Sequence, residues 1–400
     1  MKKGALLISQ INSGGAEHVV ARLTYILERN YDLDVIVFEN EGIAYPVACN
    51  IIDLKLPATK GLFSKILLLF KRSYYLKKLK QKNNYDFVIS FLDSPNMVNI
   101  FSKVCKCKSL VSVRNYSSIE NKKQIFGSIV KKLIKILYNR ADAIITVSHL
   151  IELDYQKNYK INSDIIYTIY NPYDSKEINR MANLSSEIDF LKEEGTFYFV
   201  SMGRQMYQKG FWHLIKAFSI VYKRNNMARL CLIGKDYQNG KVQNLIKKIG
   251  LEKCIKLMGQ LKNPYPILKK CDCYVLSSLF EGFPNSLVEG MICGLPIISA
   301  DCKSGPREIL CKNVDFGKNI ERVVIEEYGI LIPELEYEEN WDNNIITNGE
   351  RYLAEAMEKI LKDKLLQKKL REKSIIRSEE FNYNMCREKY CSVIDLVCEK

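Results

Sequence analysis

The stretch TFYFVSMGRQMYQKGFWHLIKAF, residues 196–218, decides the fold that the sequence predicts. It begins with a short apolar run typical of a buried strand and continues through a loop that contains Gly203 and Gly210. A helical pattern then extends over residues 209–224. A strand that leads through a short loop into a helix is half of a βαβ unit, from which parallel sheets are built.

The same alternation continues on both sides of this stretch. Strands are predicted before it at ALLIS, DVIVF, IIDLKL, FVISF, SLVSV, AIITV and IIYTIY, and after it at LCLIG, CIKLM, CYVLSS, PIISA and GILI. The polar interval 171–195 predicts a linker, and the chain from about residue 350 is helical by pattern. We therefore predict an α/β protein with two Rossmann-like domains, residues 1–175 and 176–375, followed by a C-terminal helix, residues 376–400.

Length and composition indicate a large globular protein, since 400 residues exceed one ordinary core and 47% hydrophobic with 26% charged residues is usual. There is no run of 18 apolar residues, and the first apolar segment ends by Gln10. Neither a transmembrane helix nor a secretory signal is expected, and a cytoplasmic location is predicted. Thirteen scattered cysteines and three histidines favour reduced thiols over disulfides or a metal cage.

The formal net charge of +14 is concentrated in two segments. Residues 60–84 contain eight Lys or Arg, residues 121–140 contain six, and neither segment has an acidic residue. Both segments place apolar residues at helical spacing, namely Ile66, Leu69, Phe70 and Tyr74, then Ile129, Leu133, Ile136 and Leu137. Such basic amphipathic helices suit an anionic membrane surface, although ordinary helices with a solvated lysine face are an alternative. Nucleic acid is disfavoured as a partner because no recognition motif accompanies the charge.

Two loops at the predicted carboxyl ends of strands, where parallel sheets bind ligands, are candidate anion sites. Gly14 and Gly15 leave backbone amides and the positive end of a helix dipole available, although a tight turn would need the same residues. Arg204 and Lys209 follow the strand of the opening stretch. Two cations at the start of the next helix could hold a diphosphate.

A third loop, EGFPNSLVEG at residues 281–290, places two carboxylates beside a helix N-terminus. Glu281 precedes the predicted helix and Glu289 lies in its first turns. Carboxylates beside a phosphate repel it, unless they accept hydrogen bonds from hydroxyl groups of the same ligand. The pattern therefore predicts a nucleotide-sugar site, with the diphosphate on Arg204 and Lys209 and the hydroxyl groups on the two glutamates.

The sequence at these loops resembles the retaining GT-B glycosyltransferases of the GT4 type. The resemblance covers nearly the whole chain and depends on GGAE, YNPYD, GRQMYQKG, EGFPNSLVEGMICGLPIISADCKSGPREIL and YGILIP. It implies that Glu281 contacts the donor sugar, that Glu289 binds the ribose, and that the final helix crosses back onto the N-terminal, acceptor-binding domain. Loops and resemblance together predict as donor-binding residues Gly15, Arg204, Lys209, Glu281, Phe283, Pro284, Asn285, Ser286 and Glu289.

The resemblance also implies the reaction, which is transfer of a hexose or N-acetylhexosamine from a nucleotide-diphosphate donor with retention at the anomeric carbon. UDP is the expected nucleotide, with GDP as the alternative. The predicted catalytic residues are Glu281, Arg204, Lys209 and Arg114. Relatives commonly place a histidine in the loop where Arg114 or Asn115 stands here, and binding of the acceptor diphosphate is an alternative role for Arg114. Fixed cations stabilise a leaving diphosphate, so no metal or other cofactor is expected. Asp32 and Asp34 form a DxD sequence, but they precede a strand and so lie at the wrong sheet edge.

The acceptor is predicted from SGPREIL, which resembles a block in bacterial enzymes that assemble surface polysaccharides and lipid-linked oligosaccharides. Together with the two basic segments, this predicts a polyprenyl-diphosphate-linked saccharide as acceptor, at the inner face of the cell membrane. A soluble or protein acceptor, a GT-B-shaped nucleotide-sugar epimerase and a non-catalytic nucleotide-binding scaffold remain alternatives. His18, His149 and His213 are interpreted as structural.

Overall fold

The computed structural model describes residues 1–12, 14–40, 42, 45–118, 127–188 and 190–399, with the backbone alone for 127–130. The chain divides into two compact units. Unit 1 comprises Met1–Tyr173 and Phe381–Lys400, and unit 2 comprises Asp174–Glu380. The predicted boundaries at residues 175 and 375 therefore differ from these by a few residues.

Unit 1 consists of a parallel sheet with helices on its faces. Its strands β1–β7 are Lys3–Ile8, Asp32–Val37, Asn50–Asp53, Phe87–Phe91, Lys108–Val113, Ala143–Thr146 and Ile166–Thr168. Its helices α1–α5 are Gly15–Leu27, Leu62–Lys82, Asp93–Phe101, Gly127–Tyr138 and His149–Tyr159. The strand order is β3-β2-β1-β4-β5-β6-β7, with every pairing parallel.

Unit 2 repeats this architecture. Its helices α6–α13 are Ser175–Ala182, Phe211–Arg224, Lys241–Ile249, Tyr265–Lys270, Asn285–Ile292, Pro306–Leu310, Asn348–Lys362 and Lys364–Ser378. Its strands β8–β14 are Phe197–Met202, Ala228–Ile233, Ile255–Gly259, Cys273–Leu276, Ile297–Ala300, Val324–Ile325 and Ile330–Ile332. The order is β10-β9-β8-β11-β12-β14-β13, and only the short β13 pairs antiparallel among these described strands.

The strand order reverses between two neighbouring strands in each unit, β1 and β4 in unit 1, and β8 and β11 in unit 2. Loops that leave such neighbours diverge to opposite faces of the sheet and open a crevice at the carboxyl edge, where ligands bind in this type of fold. The strands consist of continuous apolar runs because helices cover both faces. The two Rossmann-like domains predicted from the alternation are therefore present.

The last helix, α14 (Tyr383–Glu399), belongs to unit 1. Its residues Cys386, Tyr390 and Ile394 are buried in the core that also contains the apolar face of α1. The spacing of four residues between them places these side chains on one face of the helix. The chain end therefore packs on the N-terminal unit, as the family resemblance implied.

The predicted linker 171–195 is mostly part of unit 2, because α6 forms within it. Asp174 caps this helix, its side chain accepting a hydrogen bond from the backbone N–H of Glu177. Ile178 and Ala182 are buried on one face. A polar composition indicated a linker, but an N-cap and two apolar residues four positions apart suffice for a short docked helix.

Helix α2 has an unusual distribution of side chains. Its C-terminal half packs on unit 1 through Leu76, which is buried, and through Arg72, which donates to the carbonyl of Leu56 and lies 3.9 Å from the Phe38 ring centroid. Its N-terminal half is exposed, including Phe63. Of the predicted apolar stripe, Ile66, Phe70 and Tyr74 are exposed, whereas Leu69 packs against the core of unit 1.

Helix α4 shows a similar shift of the buried face. Leu133 and Ile136 are exposed, whereas Leu137 is buried together with Ile134 and Tyr138. Residues 121–126 and the side chain of Ile129, which the sequence prediction also used, lie outside what the structure describes.

No helix in the described part of the chain is long and apolar enough to span a membrane.

The thirteen cysteines, all of them within the described residues, are free thiols, and most are buried. The nine buried cysteines pack as small apolar side chains, as predicted.

Candidate functional site

The loop after β8 and the loop after β11 meet at the reversal of strand order in unit 2, the position at which this type of fold has its ligand-binding crevice. The first loop contains a 3₁₀ turn, Tyr207–Lys209, before α7 begins at Phe211. Gly210 joins the turn to the helix at φ 56°, and a Cβ on it would lie 2.3 Å from the carbonyl oxygen of Ser277. Only glycine permits this approach of the two loops.

Three hydrogen bonds also join the loop after β8 to the loop after β11. The N–H of Leu279 donates to the carbonyl of Gln208 at 2.8 Å, and the Ser277 hydroxyl donates to the carbonyl of Lys209 at 2.9 Å. The Gln208 amide donates to the carbonyl of Phe280 at 2.9 Å. The backbone on both sides of the crevice is therefore fixed by unit 2 itself.

A buried ion pair lies at this junction. Lys209 Nζ is 2.6 Å from Glu281 Oε1, and the side chains are 15% and 9% exposed. Ser278 Oγ donates to the same carboxylate oxygen at 2.6 Å, and Gln208 Nε2 is 3.5 Å from Oε2. The stem of Lys209 lies over Gly203, where a Cβ would meet Lys209 Cε at 2.8 Å. Removing one member of such a pair leaves the other charge buried without its partner.

The loop that carries Glu281 is held in place by the segment after β12. The N–H of Glu281 donates to the carbonyl of Lys303 at 2.8 Å, and the N–H of Ser304 donates to the carbonyl of Glu281 at 2.9 Å. Gly305 has φ 100°, and a Cβ there would lie 2.6 Å from Pro284 Cδ. The block EGFPNS and the block KSGP are thus packed against each other.

Helix α10 begins at Asn285, directly after Pro284, and carries Glu289 about one turn from its start. Glu289 is buried at 6% exposure. Burial raises the pKa of the neighbouring Cys293 thiol to about 12, and the negative charge of Glu289 adds to the increase. The two glutamates are therefore brought into the same unit and edge, one before α10 and one inside it.

Arg204 has a different position from Lys209. It lies in the loop directly after β8 and is exposed, whereas Lys209 is held by Glu281. The predicted pair of cations is thus one exposed guanidinium and one ammonium that already has an anionic partner. A diphosphate at this edge would compete with Glu281 for Lys209.

The predicted anion site in unit 1 contains a carboxylate of the chain itself. Gly15 is the first residue of α1, and the side chain of Glu17 folds over Gly14, where a Cβ would lie 2.0 Å from Glu17 Oε2. The start of α1 therefore already has a negative charge, which disfavours a second anion there. The assignment of Gly15 to donor phosphate remains a prediction.

Arg114, the predicted catalytic arginine of unit 1, is tied into the interior of that unit. Its guanidinium donates to Asn171 Oδ1 at 2.5 Å. Desolvation lowers the pKa of Arg114, while the nearby Tyr390 and Tyr173 act in the opposite direction. These contacts join β5, the segment after β7 and α14, so Arg114 stabilises unit 1 whatever else it does.

The three histidines have protein partners. His18 stacks on Tyr45 at 4.4 Å between ring centroids, and burial, followed by the charge of Arg22, lowers its pKa to about 3. His213 is buried, with Nδ1 2.8 Å from Glu350 Oε1 and Nε2 3.0 Å from the Glu336 carbonyl. His149 Nδ1 lies 3.0 Å from Glu152 Oε2. These contacts agree with the structural interpretation.

The DxD sequence lies at the amino end of its strand, as expected. Asp34 accepts a hydrogen bond from the Tyr85 hydroxyl at 2.5 Å, and Asp32 lies 3.7 Å from Lys3 Nζ. Within the described residues, the structure contains no cluster of three or more His, Cys, Asp or Glu side chains suited to a metal ion.

Sequence reasoning missed several side chains that shape this site. Gln208 and Ser278 hold the Glu281 carboxylate, and Tyr274 lies beneath α10. Lys303 pairs with Glu334 at 3.3 Å after β12. The only sequence signal for Gln208 and Ser278 was their position in loops at the carboxyl ends of strands.

Comparison with known proteins agrees with this arrangement. A family model described as Glycosyltransferase Family 4 matches residues 13–177, and one described as Glycosyl transferases group 1 matches residues 186–351. The chain is 31% identical over 313 residues to an uncharacterized glycosyltransferase from Methanocaldococcus jannaschii. The aligned region covers 75% of this chain and 77% of the relative.

A second relative is the N-acetylgalactosamine-N,N'-diacetylbacillosaminyl-diphospho-undecaprenol 4-alpha-N-acetylgalactosaminyltransferase of Campylobacter jejuni, 28% identical over 388 residues and 96% of each chain. Among solved structures, Anabaena HepE in complex with UDP and glucose has a TM-score of 0.72 at 17% identity, covering 99% of this chain and 100% of HepE. This likeness concerns the fold, and it confirms the predicted GT-B class.

Proposed function

Because the chain belongs to the GT4 family of glycosyltransferases, we propose that it transfers a sugar, with retention, from a nucleotide-diphosphate donor to a polyprenyl-diphosphate-linked saccharide. The donor is a UDP-hexose or UDP-N-acetylhexosamine. One observation carries the proposal: a buried Lys209–Glu281 pair lies at the strand-order reversal of unit 2, with the buried Glu289 in the helix that follows. A cation suits the diphosphate of a nucleotide-sugar, and carboxylates suit the hydroxyl groups of its ribose and sugar.

The ion pair suggests how donor binding prepares the site. In the free protein the charges of Lys209 and Glu281 satisfy each other. A donor diphosphate offers Lys209 a stronger anion, and the released carboxylate of Glu281 then accepts hydrogen bonds from sugar hydroxyls. Lys209 and Arg204 stabilise the negative charge that develops on the diphosphate as it leaves. Because these two cations stabilise the leaving diphosphate, the reaction that we propose needs no metal ion.

Two comparisons support the proposed substrates. HepE, which has the same fold, holds UDP and glucose in its solved complex. The Campylobacter relative acts on a saccharide carried by diphospho-undecaprenol and forms an alpha linkage. A GT4 enzyme that makes an alpha linkage from an alpha-linked donor retains the anomeric configuration.

A role of Glu281 in contacting the sugar has a distinct signature. Glu281→Gln keeps the size of the side chain and frees Lys209, so UDP binding should not weaken. Turnover of the UDP-sugar should fall about tenfold or more, because the hydroxyl groups of the transferred sugar lose a charged acceptor. Calorimetry with UDP and initial rates with the UDP-sugar measure the two effects. An equal loss of UDP affinity and turnover would reject this division of roles.

We also place the enzyme on the inner face of a membrane, through the exposed half of α2. Phe63, Leu67 and Phe70 are 82%, 62% and 56% exposed, and they lie among Lys60, Lys65 and Lys71 in a segment without acidic residues. Apolar side chains among lysines are the composition of helices that lie in an anionic lipid interface. Each basic residue near such a surface contributes roughly fivefold in affinity, screened at high salt.

The membrane assignment predicts two separable losses in vesicle co-sedimentation with anionic lipid. Lys65→Glu with Lys71→Glu should remove most of the salt-sensitive binding. Phe63→Ser with Leu67→Ser should remove the part that persists in high salt. The matched control is Leu365→Ser with Ile376→Ser, two residues of α13 that are similarly exposed at 82% and 59%. If the control reduces binding as much as the α2 variants, or if wild type does not sediment, the assignment is wrong.

The proposed function is tested by a panel of radiolabelled nucleotide-sugars incubated with bacterial lipid extracts. Transfer of label to a lipid fraction, unaffected by EDTA, is the expected result. Label in a soluble saccharide or protein would identify another acceptor. Conversion of the donor to an epimer would identify an epimerase, and UDP binding without turnover would identify a scaffold. Loss of transfer in EDTA would refute the metal-independent mechanism.

A further inference from the structure

We infer that Tyr274 is a positioning residue for the donor site, because its buried hydroxyl sets the Ser286 hydroxyl as a hydrogen-bond donor toward the diphosphate. This inference rests on the proposed function. The buried Tyr274 hydroxyl would orient the Ser286 hydroxyl, which is nearer the protein surface. Tyr274 is in β11, the strand that pairs with β8 at the reversal of strand order.

The ring of Tyr274 fixes the position of α10. Its side chain is fully buried, and a Cβ on Gly290 would lie only 3.1 Å from the ring. The helix can approach the strand this closely because residue 290 has no side chain. Ser286, in the first turn of the same helix, is thereby placed directly above the tyrosine hydroxyl.

The hydroxyl of Tyr274 has two hydrogen-bonding neighbours, one at the end of β8 and one in α10. Ser286 Oγ is 2.7 Å away, and the carbonyl oxygen of Met202, at the end of β8, is 3.3 Å away. The first distance is that of a normal O–H···O bond, whereas the second exceeds the usual range. The tyrosine hydrogen is therefore donated chiefly to Ser286, with the Met202 carbonyl as the weaker acceptor.

This direction decides what Ser286 can offer a ligand. A hydroxyl has one hydrogen and two lone pairs, so a Ser286 oxygen that accepts from Tyr274 keeps its own hydrogen for another partner. Ser286 is only partly buried. Had Ser286 donated to Tyr274 instead, its hydrogen would point into the core, and only lone pairs would face an anionic ligand.

The tyrosine remains a donor throughout the physiological pH range. Burial raises the pKa of Tyr274, and the carboxylates of Glu281 and Glu289 raise it further, so the phenol does not ionise. Tyr274 thus connects the end of β8 with the start of α10.

The test is Tyr274→Phe, which keeps the ring against Gly290 and removes only the hydroxyl. We expect UDP, or GDP if wild type prefers it, to bind about five- to tenfold more weakly in calorimetry, because the hydrogen bond to the charged phosphate is lost or misdirected. Binding of the nucleoside without phosphates should change less than twofold. Ser286→Ala should cause a similar loss, and the double variant should be no worse than the larger single loss, since both changes remove one interaction.

The matched control is Tyr198→Phe. Tyr198 is also a fully buried strand tyrosine of unit 2, but its hydroxyl contacts Glu193 at 3.2 Å, away from the crevice. Its removal should leave diphosphate affinity unchanged. Equal weakening of nucleoside and nucleotide by Tyr274→Phe, unchanged affinities, or additive losses with Ser286→Ala would overturn the inference while leaving the proposed function in place. A wild-type protein that binds neither UDP nor GDP would overturn both.

Discussion

Lys209→Met is expected to reduce sugar transfer by about 10²–10³-fold, which is the usual cost of removing one preorganised group that stabilises charge in a transition state. Lys209 is the only described cation in contact with Glu281, at 2.6 Å, so it is the group that a donor diphosphate would recruit. UDP should bind more weakly as well, whereas the nucleoside should bind as before. Single-turnover rates with saturating UDP-sugar and calorimetry with UDP and uridine separate these effects.

A loss of activity could also follow from destabilisation, because Lys209→Met leaves the Glu281 carboxylate without its cation. The double variant Lys209→Met with Glu281→Gln removes both charges and should restore the unfolding temperature without restoring transfer. Lys241→Met is the matched control, since Lys241 also pairs with a glutamate of unit 2, Glu339, at 3.0 Å on the surface. Transfer within threefold of wild type in Lys209→Met would reject the assigned role.

Glu289→Gln is expected to weaken UDP binding by about 10- to 100-fold. A buried carboxylate that accepts hydrogen bonds from ribose hydroxyls contributes about 1.5–3 kcal/mol, and an amide of the same shape replaces only part of it. Glu289 is 6% exposed and lies in α10, so the substitution tests a group that the fold holds in place. Calorimetry with UDP measures the loss.

The ribose assignment can be separated from a general effect of charge by using a deoxy nucleotide. Wild type should bind 2',3'-dideoxy-UDP much more weakly than UDP, and Glu289→Gln should discriminate little between the two. If the variant still prefers UDP as strongly as wild type does, Glu289 does not contact the ribose. Removing a negative charge near the diphosphate would by itself strengthen binding, so the expected weakening is opposite in sign to that effect.

The sequence predicted the fold well because alternating apolar strands and amphipathic helices are local patterns. Parallel strands buried on both faces form continuous apolar runs, and those runs located every described strand except the two-residue β13. The pairing of Lys209 with Glu281 was not predictable in the same way. Seventy-two positions separate these residues, and only the strand order brings their loops together.

The surface of α2 shows the limit of helical periodicity. A periodic pattern identifies an apolar stripe but not what covers it, and here Ile66, Phe70 and Tyr74 are exposed while Leu69 packs against the core. The buried face instead contains Arg72 and Lys80, which donate to the carbonyl groups of Leu56 and Asn99. Long side chains can be buried when their charged ends find acceptors. The prediction of a solvated lysine face considered only charge and therefore did not include this possibility.

The most direct measurement is the mass and anomeric configuration of the product formed from a UDP-N-acetylhexosamine or UDP-hexose and a defined polyprenyl-diphosphate-linked saccharide. Wild type should add one sugar to the lipid-linked saccharide, with the alpha configuration of the donor retained, and Lys209→Met should add almost none. Inversion at the anomeric carbon would contradict the retaining mechanism. Failure of wild type to extend any lipid-linked saccharide, with transfer to a soluble acceptor under the same conditions, would contradict the assignment of the acceptor.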